Sequence, residues 1–276
     1  MKTYSMADPV RYPRMTTDEL RATFLVDSLF IPGGIELVYV DLDRTVIGSA
    51  VPTKEALKLE SDDSLRSEFF TQRRELGILN IGNNGSVKAD GKDYPMENLD
   101  CLYISRGTKD ISFTSADPKK PAEFYLLSYP AHAAMPTVLA KKAQATAVNL
   151  GKPETCNKRT IYKFIHPDGI KSCQLVMGFT QLEVGSIWNT MPPHTHLRRS
   201  EVYMYFNLDP TQRVMHFMGA GQETRHLVMA DKQAVISPSW SIHAGAGTGN
   251  YAFCWGMGGE NQTFDDMDGI AIATLK

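Results

Sequence analysis

Short apolar runs with alternating polarity recur along most of this 276-residue chain and constrain its fold more than any other feature. Examples lie at residues 35–42, 173–180, 201–206 and 251–255. Alternation with a period of two is typical of strands that bury one face, whereas patterns with a helical period are rare in this chain. We therefore predict an all-β protein, a sandwich or small barrel with a few short helices.

One short helix is predicted near the N-terminus, starting at Thr17 with acidic residues in its first turn and ending near Leu29. Between residues 131 and 153 the sequence is rich in helix formers and poor in aromatic residues, which indicates a linker with a second short helix. We place a domain boundary here, giving an N-terminal domain of residues 1–140 and a C-terminal domain of residues 141–276.

The two halves of the chain resemble each other. Residues 73–81 are similar to residues 198–206, and residues 96–105 are similar to residues 229–237 when single-residue shifts are allowed. An internal sequence repeat of this kind predicts two copies of one β unit.

A set of metal-ligand residues stands in the second half. His194 and His196 would point to the same face of a strand, Glu201 follows after four intervening residues, and His243 comes after another apolar run. A turn through residues 197–200 would make a hairpin that brings Glu201 beside the two histidines. The set predicts a divalent metal held by three nitrogens and one carboxylate oxygen, with a position left for water or substrate. The N-terminal domain has no such histidine pair, so only the C-terminal domain is expected to bind metal.

A blander interpretation is that each histidine is an interior group and that Glu201 pairs with Arg199 or Lys232 on a solvated face. The combination of a histidine pair, a following glutamate and a later histidine favours metal binding. The ligand types suit zinc, manganese, iron or nickel.

Charge and hydropathy limit the partners. The formal net charge is −2 and no run of lysine or arginine exceeds two. The sequence therefore shows no cluster of positive charge of the kind that binds nucleic acid or an anionic membrane. No window of the sequence is apolar enough to span a bilayer, and the N-terminus lacks a signal-peptide pattern. We expect a cytoplasmic protein with a small-molecule partner.

Gly185, His194, His196, Glu201, Pro238 and His243 together resemble the two signature motifs of the cupin superfamily. The sequence departs from them in three places. Eight residues instead of five separate Gly185 from His194, Trp240 stands where glycine is common, and position 247 is glycine instead of asparagine. The ligands themselves are intact.

The resemblance narrows to the 5-keto-4-deoxyuronate isomerase family (4-deoxy-L-threo-5-hexosulose-uronate ketol-isomerase), most specifically in residues 189–196, 238–243 and 255–268. It implies a double cupin and a homohexamer. It also implies one zinc per subunit on His194, His196, Glu201 and His243, with manganese or iron still open. The implied reaction converts 4-deoxy-L-threo-5-hexosulose uronate to 3-deoxy-D-glycero-2,5-hexodiulosonate during pectin and uronate breakdown.

Such a reaction moves a carbonyl group through an enediolate, whose charge a metal would stabilise. Glu201 is a catalytic candidate through the metal, but as a ligand it is poorly suited to be the base, so another group or a metal-bound water is expected to carry the proton. Arg159, Lys163 and Arg225 are candidates for holding the uronate carboxylate, and Tyr203 is a candidate for contacting substrate from the face it shares with Glu201. For each of the three cations, taken alone, an ordinary surface charge is the more common explanation, and core packing would explain Tyr203 equally well.

Two other functions remain open at this point. The same ligands suit an iron oxygenase on the same fold, and a non-catalytic sugar-binding cupin would also keep the fold.

Overall fold

The computed structural model describes all 276 residues and consists mainly of short strands. Its single α-helix, α1, spans Thr17–Phe24, and the other helical segments are three-residue 3₁₀ turns. The first twelve strands are β1 (Lys2–Tyr4), β2 (Leu25–Val26), β3 (Ile35–Val40), β4 (Val46–Ala50), β5 (Leu57–Lys58), β6 (Arg74–Asn80), β7 (Gly85–Ala89), β8 (Lys92–Met96), β9 (Cys101–Ile104), β10 (Ile111–Ser115), β11 (Phe124–Pro130) and β12 (Val138–Ala140).

The remaining twelve strands are β13 (Thr146–Leu150), β14 (Arg159–Ile165), β15 (Val176–Leu182), β16 (Trp188–Asn189), β17 (His194–Thr195), β18 (Arg199–Phe206), β19 (Val214–Ala220), β20 (Glu223–Met229), β21 (Ala234–Ser237), β22 (Ala244–Gly247), β23 (Ala252–Gly259) and β24 (Asp268–Gly269). The prediction of an all-β protein with a few short helices is confirmed.

Helix α1 begins where the sequence predicts. The Thr16 hydroxyl accepts a hydrogen bond from the Glu19 amide at 3.3 Å, and the Glu19 carboxylate accepts one from the Thr16 amide at 2.8 Å. This reciprocal pair is a capping box. The helix ends at Phe24, so the predicted end near Leu29 is wrong. The next two residues pair with β21 instead, and the sheet bonds replace further helical bonds.

The first compact unit comprises residues 1–3, 28–145 and 164–177. A seven-stranded sheet with the order β1-β3-β4-β11-β6-β9-β12 belongs to it, together with a four-stranded sheet with the order β5-β10-β7-β8. Side chains from both sheets form one apolar core, including Leu76, Ile78, Val87 and Phe113, each fully buried.

The second unit comprises residues 4–27, 146–163 and 178–276. Its main sheets have the orders β13-β14-β15-β23-β18-β21-β2 and β16-β22-β19-β20, and β17 pairs with β24 in a separate two-stranded sheet. Stacking of Tyr162 on Phe179, with centroids 4.6 Å apart, is part of its aromatic packing.

The strand orders explain why the two halves of the sequence resemble each other. The series β4-β11-β6-β9 in one sheet matches β15-β23-β18-β21 in the other, and the similar sequence segments fall on β6 and β18 and on β9 and β21. The predicted repeat of one β unit is therefore present as a repeat of topology.

The linker around residues 131–153 is not helical. Strands β12 and β13 flank a single 3₁₀ turn at Lys142–Gln144, because each strand finds a sheet edge to pair with. The division into residues 1–140 and 141–276 stays a prediction for continuous domains. The compact units cross it twice, since residues 4–27 belong to the second unit and residues 164–177 to the first.

Candidate metal centre

The four predicted ligands converge in the second unit, although the local structure differs from the predicted hairpin. Strand β17, which carries His194, pairs with β24 and not with β18. The chain turns between His196 and Arg199, whose amide donates to the His196 carbonyl at 2.9 Å, and Glu201 then lies near the start of β18. The hairpin prediction is wrong because the neighbours of β18, namely β21 and β23, already occupy both of its edges.

The ligand atoms lie close enough to share one ion. Nε2 of His194 is 3.0 Å from Nε2 of His196 and 3.1 Å from Nε2 of His243. Oε2 of Glu201 is 3.1 Å from His196 Nε2 and 2.8 Å from His243 Nε2. The four residues offer ligand atoms that all lie within 4.8 Å of one another.

These separations fit metal coordination. Ligand atoms bound about 2.1 Å from one ion and at right angles to one another lie roughly 3.0 Å apart. Three imidazole nitrogens and a carboxylate oxygen at this spacing would repel one another unless a cation or shared protons stood between them. The residues therefore fit a divalent metal.

The surroundings of His194 and Glu201 keep both residues in the protonation states that a metal needs. Burial, reinforced by His243, lowers the pKa of His194 to about 3, so its nitrogen lone pair is available at neutral pH. Burial by itself would raise the pKa of Glu201, but the imidazoles of His243 and His196 hold that pKa well below its ordinary value. Glu201 is therefore ionised although it is only 4% exposed.

The C-terminal segment fixes His196 from behind. Nδ1 of His196 lies 2.9 Å from the Asp266 carbonyl, and this contact leaves Nε2 for the metal when Nδ1 carries the proton. Arg199 also donates to that carbonyl, at 3.1 Å. The Asp266 carboxylate is bound by Arg198 and by Asn261, which holds the segment in place.

A cavity of about 240 Å³ opens beside the ligands. Its lining combines a few polar groups with many apolar ones, and it comprises Leu150, Arg159, Ile161, Thr180, Thr190, Met191, Pro192, His194, His196, Glu201, Tyr203, Phe253, Trp255, Met257, Phe264 and Met267. A concave apolar site with few polar groups is typical of small-molecule binding.

Besides Glu201, two of the predicted catalytic residues, Arg159 and Tyr203, lie in this lining. Arg159 donates to the Asn157 carbonyl at 2.9 Å and has no carboxylate within ion-pair distance. Tyr203 is 3% exposed, and its hydroxyl lies 2.9 Å from the Thr190 hydroxyl. Burial, with a further contribution from Glu201, raises the pKa of Tyr203 well above its ordinary value, so the phenol is neutral and able to donate a hydrogen bond.

The other two predicted residues are not in the lining. The Lys163 amine lies 4.9 Å from the centroid of the Phe264 ring, and that ring lines the cavity, so Lys163 contacts the lining without being part of it. Arg225 pairs with Glu223 at 2.8 Å and donates to the carbonyls of Thr224 and Pro13. The structure therefore brings Arg159 and Tyr203 to the metal ligands and does not bring Arg225 there.

Comparison with known proteins identifies the family. The family model described as KduI/IolB family matches residues 30–272. A protein from Halalkalibacterium halodurans is 53% identical over 268 residues, covering 97% of each chain. A protein from Lachnoclostridium phytofermentans is 52% identical over 276 residues, covering all of both chains. Both carry the name 4-deoxy-L-threo-5-hexosulose-uronate ketol-isomerase.

The chain belongs to the KduI/IolB family.

Solved structures support the fold of this KduI/IolB family member. An IolB-like protein from Salmonella typhimurium superimposes with a TM-score of 0.73 at 15% identity, covering 90% of this chain and 97% of that chain. A mutant of Bacillus subtilis oxalate decarboxylase gives a TM-score of 0.56 at 10% identity, covering 82% and 71%. The predicted double-cupin fold is confirmed. None of the helices in the structure combines the length and the apolar character needed to cross a membrane.

Several residues of the site were missed by reasoning from single residues. Thr190, Trp255, Phe264 and Met267 line the cavity, and the Asp266 carbonyl supports His196. All five lie inside the two segments, 189–196 and 255–268, on which the sequence resembles the isomerase family most specifically. That resemblance was the signal that would have found them.

Proposed function

We propose that this protein is a ketol-isomerase that converts 4-deoxy-L-threo-5-hexosulose uronate to 3-deoxy-D-glycero-2,5-hexodiulosonate, and that a divalent metal on His194, His196, Glu201 and His243 supports the reaction. The isomerase activity follows from full-length relatives at about half identity that carry this name. The metal requirement rests on the four convergent ligand atoms. Zinc is the metal we propose, on the family resemblance.

The position of Arg159 is the observation that supports a substrate with a carboxylate group. It is a cation without an ion-pair partner, and it lines the same cavity as the ligand set. A uronate brings a carboxylate, and a guanidinium can bind that group through two parallel hydrogen bonds. We therefore assign to Arg159 the substrate carboxylate, with Lys163 adding positive charge behind the Phe264 ring.

The bound metal would supply Lewis-acid stabilisation of the negative charge that develops on oxygen in the enediolate. Tyr203 is the one titratable residue in the cavity lining that is neither a ligand nor an arginine. Its neutral phenol would hold a proton at Oη and donate a hydrogen bond to a substrate oxygen. Thr190 orients that hydroxyl.

The apolar lining has a separate role. Trp255 and Phe253 are buried among the lining side chains, and Trp255 is fixed by a hydrogen bond from Nε1 to the Thr180 hydroxyl at 3.1 Å. Exclusion of water by these rings would strengthen the electrostatic contacts inside the cavity.

The test is isomerisation of freshly generated unsaturated-uronate product by the purified protein, before and after chelation. We expect chelation to stop the conversion and added zinc or manganese to restore it, without oxygen uptake. Full activity in demonstrably metal-free protein would refute the role of the metal. Oxygen uptake coupled to turnover would favour an oxygenase, and substrate binding without turnover would favour a binding protein.

A hexameric assembly and a cytoplasmic location are further parts of the proposal. Both rest on the family resemblance or on sequence composition, and sedimentation velocity of the purified protein tests the first.

A further inference from the structure

A second cavity, of about 220 Å³, lies wholly within the first unit and is strongly cationic. Three arginines and no acidic residue line it, and the full lining is Tyr39, Arg44, Ser64, Leu65, Ser67, Arg73, Arg74 and Pro130. None of the three arginines has a carboxylate within ion-pair distance. An unneutralised group of cations in a concavity is unfavourable unless an anion binds there.

Arg74 is the most informative of the three because it is only 6% exposed. Its Nε donates to the Ser128 hydroxyl at 3.1 Å, and its NH2 donates to the carbonyls of Arg44 at 2.6 Å and Ser128 at 2.8 Å. Burial lowers the pKa of Arg74 to about 10, so the guanidinium still carries its charge at neutral pH. A buried cation is costly without a counter-charge, and here the protein supplies only neutral acceptors.

One wall of the cavity lies at a strand end that the fold repeat relates to the metal site. Leu76 pairs with Ile104 across β6 and β9, as Glu201 pairs with Ser237 across β18 and β21. The first unit thus has a leucine in place of the glutamate ligand. Arg74, two residues earlier on the same face, stands at the end of β6 that corresponds to the ligand-bearing end of β18.

Arg44 and Arg73 complete the cationic wall from separate segments. Arg44 has a left-handed backbone conformation with φ of 54°, and its side chain is exposed toward the cavity without a hydrogen-bond partner. Arg73 is anchored by hydrogen bonds from NH2 to the Leu65 carbonyl, at 2.9 Å, and to the Arg66 carbonyl, which leaves its Nε and NH1 groups for a ligand. The nearby Asp62 carboxylate already binds the N-terminal ammonium group at 2.6 Å, so it does not neutralise the cavity.

We propose that this cavity of the first unit binds a small oxyanion, with Arg44, Arg73 and Arg74 as its ligands. The shared chemistry is a planar or tetrahedral group with at least two anionic oxygens, which guanidinium groups bind through paired hydrogen bonds. Phosphate and the carboxylate of a sugar acid both present such a group.

The test is calorimetric titration of the purified full-length protein with inorganic phosphate and, separately, with D-glucuronate at low ionic strength. We expect saturable binding of at least one of them at a site of this cavity on each subunit. Because the cavity of Arg159 also accepts a uronate carboxylate, binding of glucuronate counts for this cavity only where Arg44→Asn weakens it. The variant Arg44→Asn should weaken that binding roughly tenfold or more, because it removes charged hydrogen bonds. Asparagine tolerates the left-handed conformation, so the variant should fold normally.

The matched control is Arg66→Asn. Arg66 is also an exposed arginine of the first unit with a left-handed backbone, at φ of 46°, but it does not line the cavity. Its backbone carbonyl accepts a hydrogen bond from Arg73, and the substitution to asparagine keeps that carbonyl. Its substitution should leave the affinity within twofold. Tighter binding of phosphate than of glucuronate, or the reverse, would identify the physiological class, provided that Arg44→Asn abolishes the difference. Absence of saturable binding of either anion, or equal weakening by both variants, would overturn the proposal.

Discussion

Replacement of Arg159 by glutamine removes the cation that we assign to the substrate carboxylate while it keeps a polar side chain of similar length. The wild-type guanidinium has one hydrogen bond within the protein, to the Asn157 carbonyl at 2.9 Å. Its remaining N–H groups can therefore bind substrate. Because Arg159 is only partly buried, its loss should weaken the site without unfolding the second unit.

The size of the effect follows from the charge and exposure of this residue. Hydrogen bonds to charged groups contribute about 1.5–3 kcal/mol, and the partial exposure of Arg159 argues for the lower half of that range. At about 1.4 kcal/mol for each factor of ten, kcat/KM should fall roughly 10- to 40-fold. The carboxylate is remote from the reacting carbons, so most of the loss should appear as a higher KM with kcat largely retained.

Steady-state kinetics of the metal-loaded protein measure this, with Arg213→Gln as the matched control. Arg213 is an exposed arginine of the same unit, bonded to backbone carbonyls and absent from the cavity lining. A substrate analogue whose carboxylate is replaced by a neutral amide should be turned over equally well by wild type and Arg159→Gln. An unchanged KM for the acid substrate, or equal losses for acid and amide, would refute the assignment.

Three further predictions concern the ligands and their neighbours. The variant His243→Ala should lose metal and turnover but keep its circular-dichroism spectrum, because a metal in a preformed barrel contributes more to chemistry than to folding. Loss of the folded spectrum in this variant would contradict the prediction. The variant Tyr203→Phe should lower kcat roughly 100-fold with metal content unchanged, because one hydrogen-bond donor to the developing negative charge is lost. An unchanged kcat would exclude Tyr203 as that donor. Burial, with a smaller contribution from His243, lowers the pKa of His216 to about 3. At His216 the unfolded state therefore binds an extra proton between pH values of about 3 and 6.5. This residue alone should lower the free energy of unfolding of metal-free protein by up to about 1.4 kcal/mol per unit as pH drops through that range, and His194, whose pKa is also lowered to about 3, adds a similar contribution. The variant His216→Gln should show a shallower slope in denaturant titrations, and equal slopes would refute the explanation.

The ligand set could be predicted from the sequence because ligands must be histidine or carboxylate and must recur at short, regular spacings. His194, His196, Glu201 and His243 were found in this way, and their atoms do converge. The route by which they converge was predicted wrongly. Strand β17 takes its partner from β24, near the C-terminus, and no local pattern in the sequence encodes a pairing over that distance.

For the candidate catalytic residues, too, the sequence predicts the residue types and the structure decides which of them reach the site. Arg159, Lys163 and Arg225 look alike in the sequence, as cations on or beside strands. The structure distinguishes them by their neighbours, since Arg225 is paired with Glu223 and Arg159 has no anionic partner. Whether a charge is already neutralised depends on contacts between distant segments, and one sequence does not give those contacts.

The sequence by itself determined the strand-rich fold class, the repeat of a β unit and the identity of the ligands. Alternating polarity, similar segments in the two halves and the chemistry of ligand side chains are all visible in the order of the residues. Only the tertiary structure decided to which compact unit residues 4–27 belong, what lines the two cavities and which arginines lack a counter-charge. Those outcomes depend on burial and pairing between segments far apart in sequence, where the free energy of one contact is set by all the others around it.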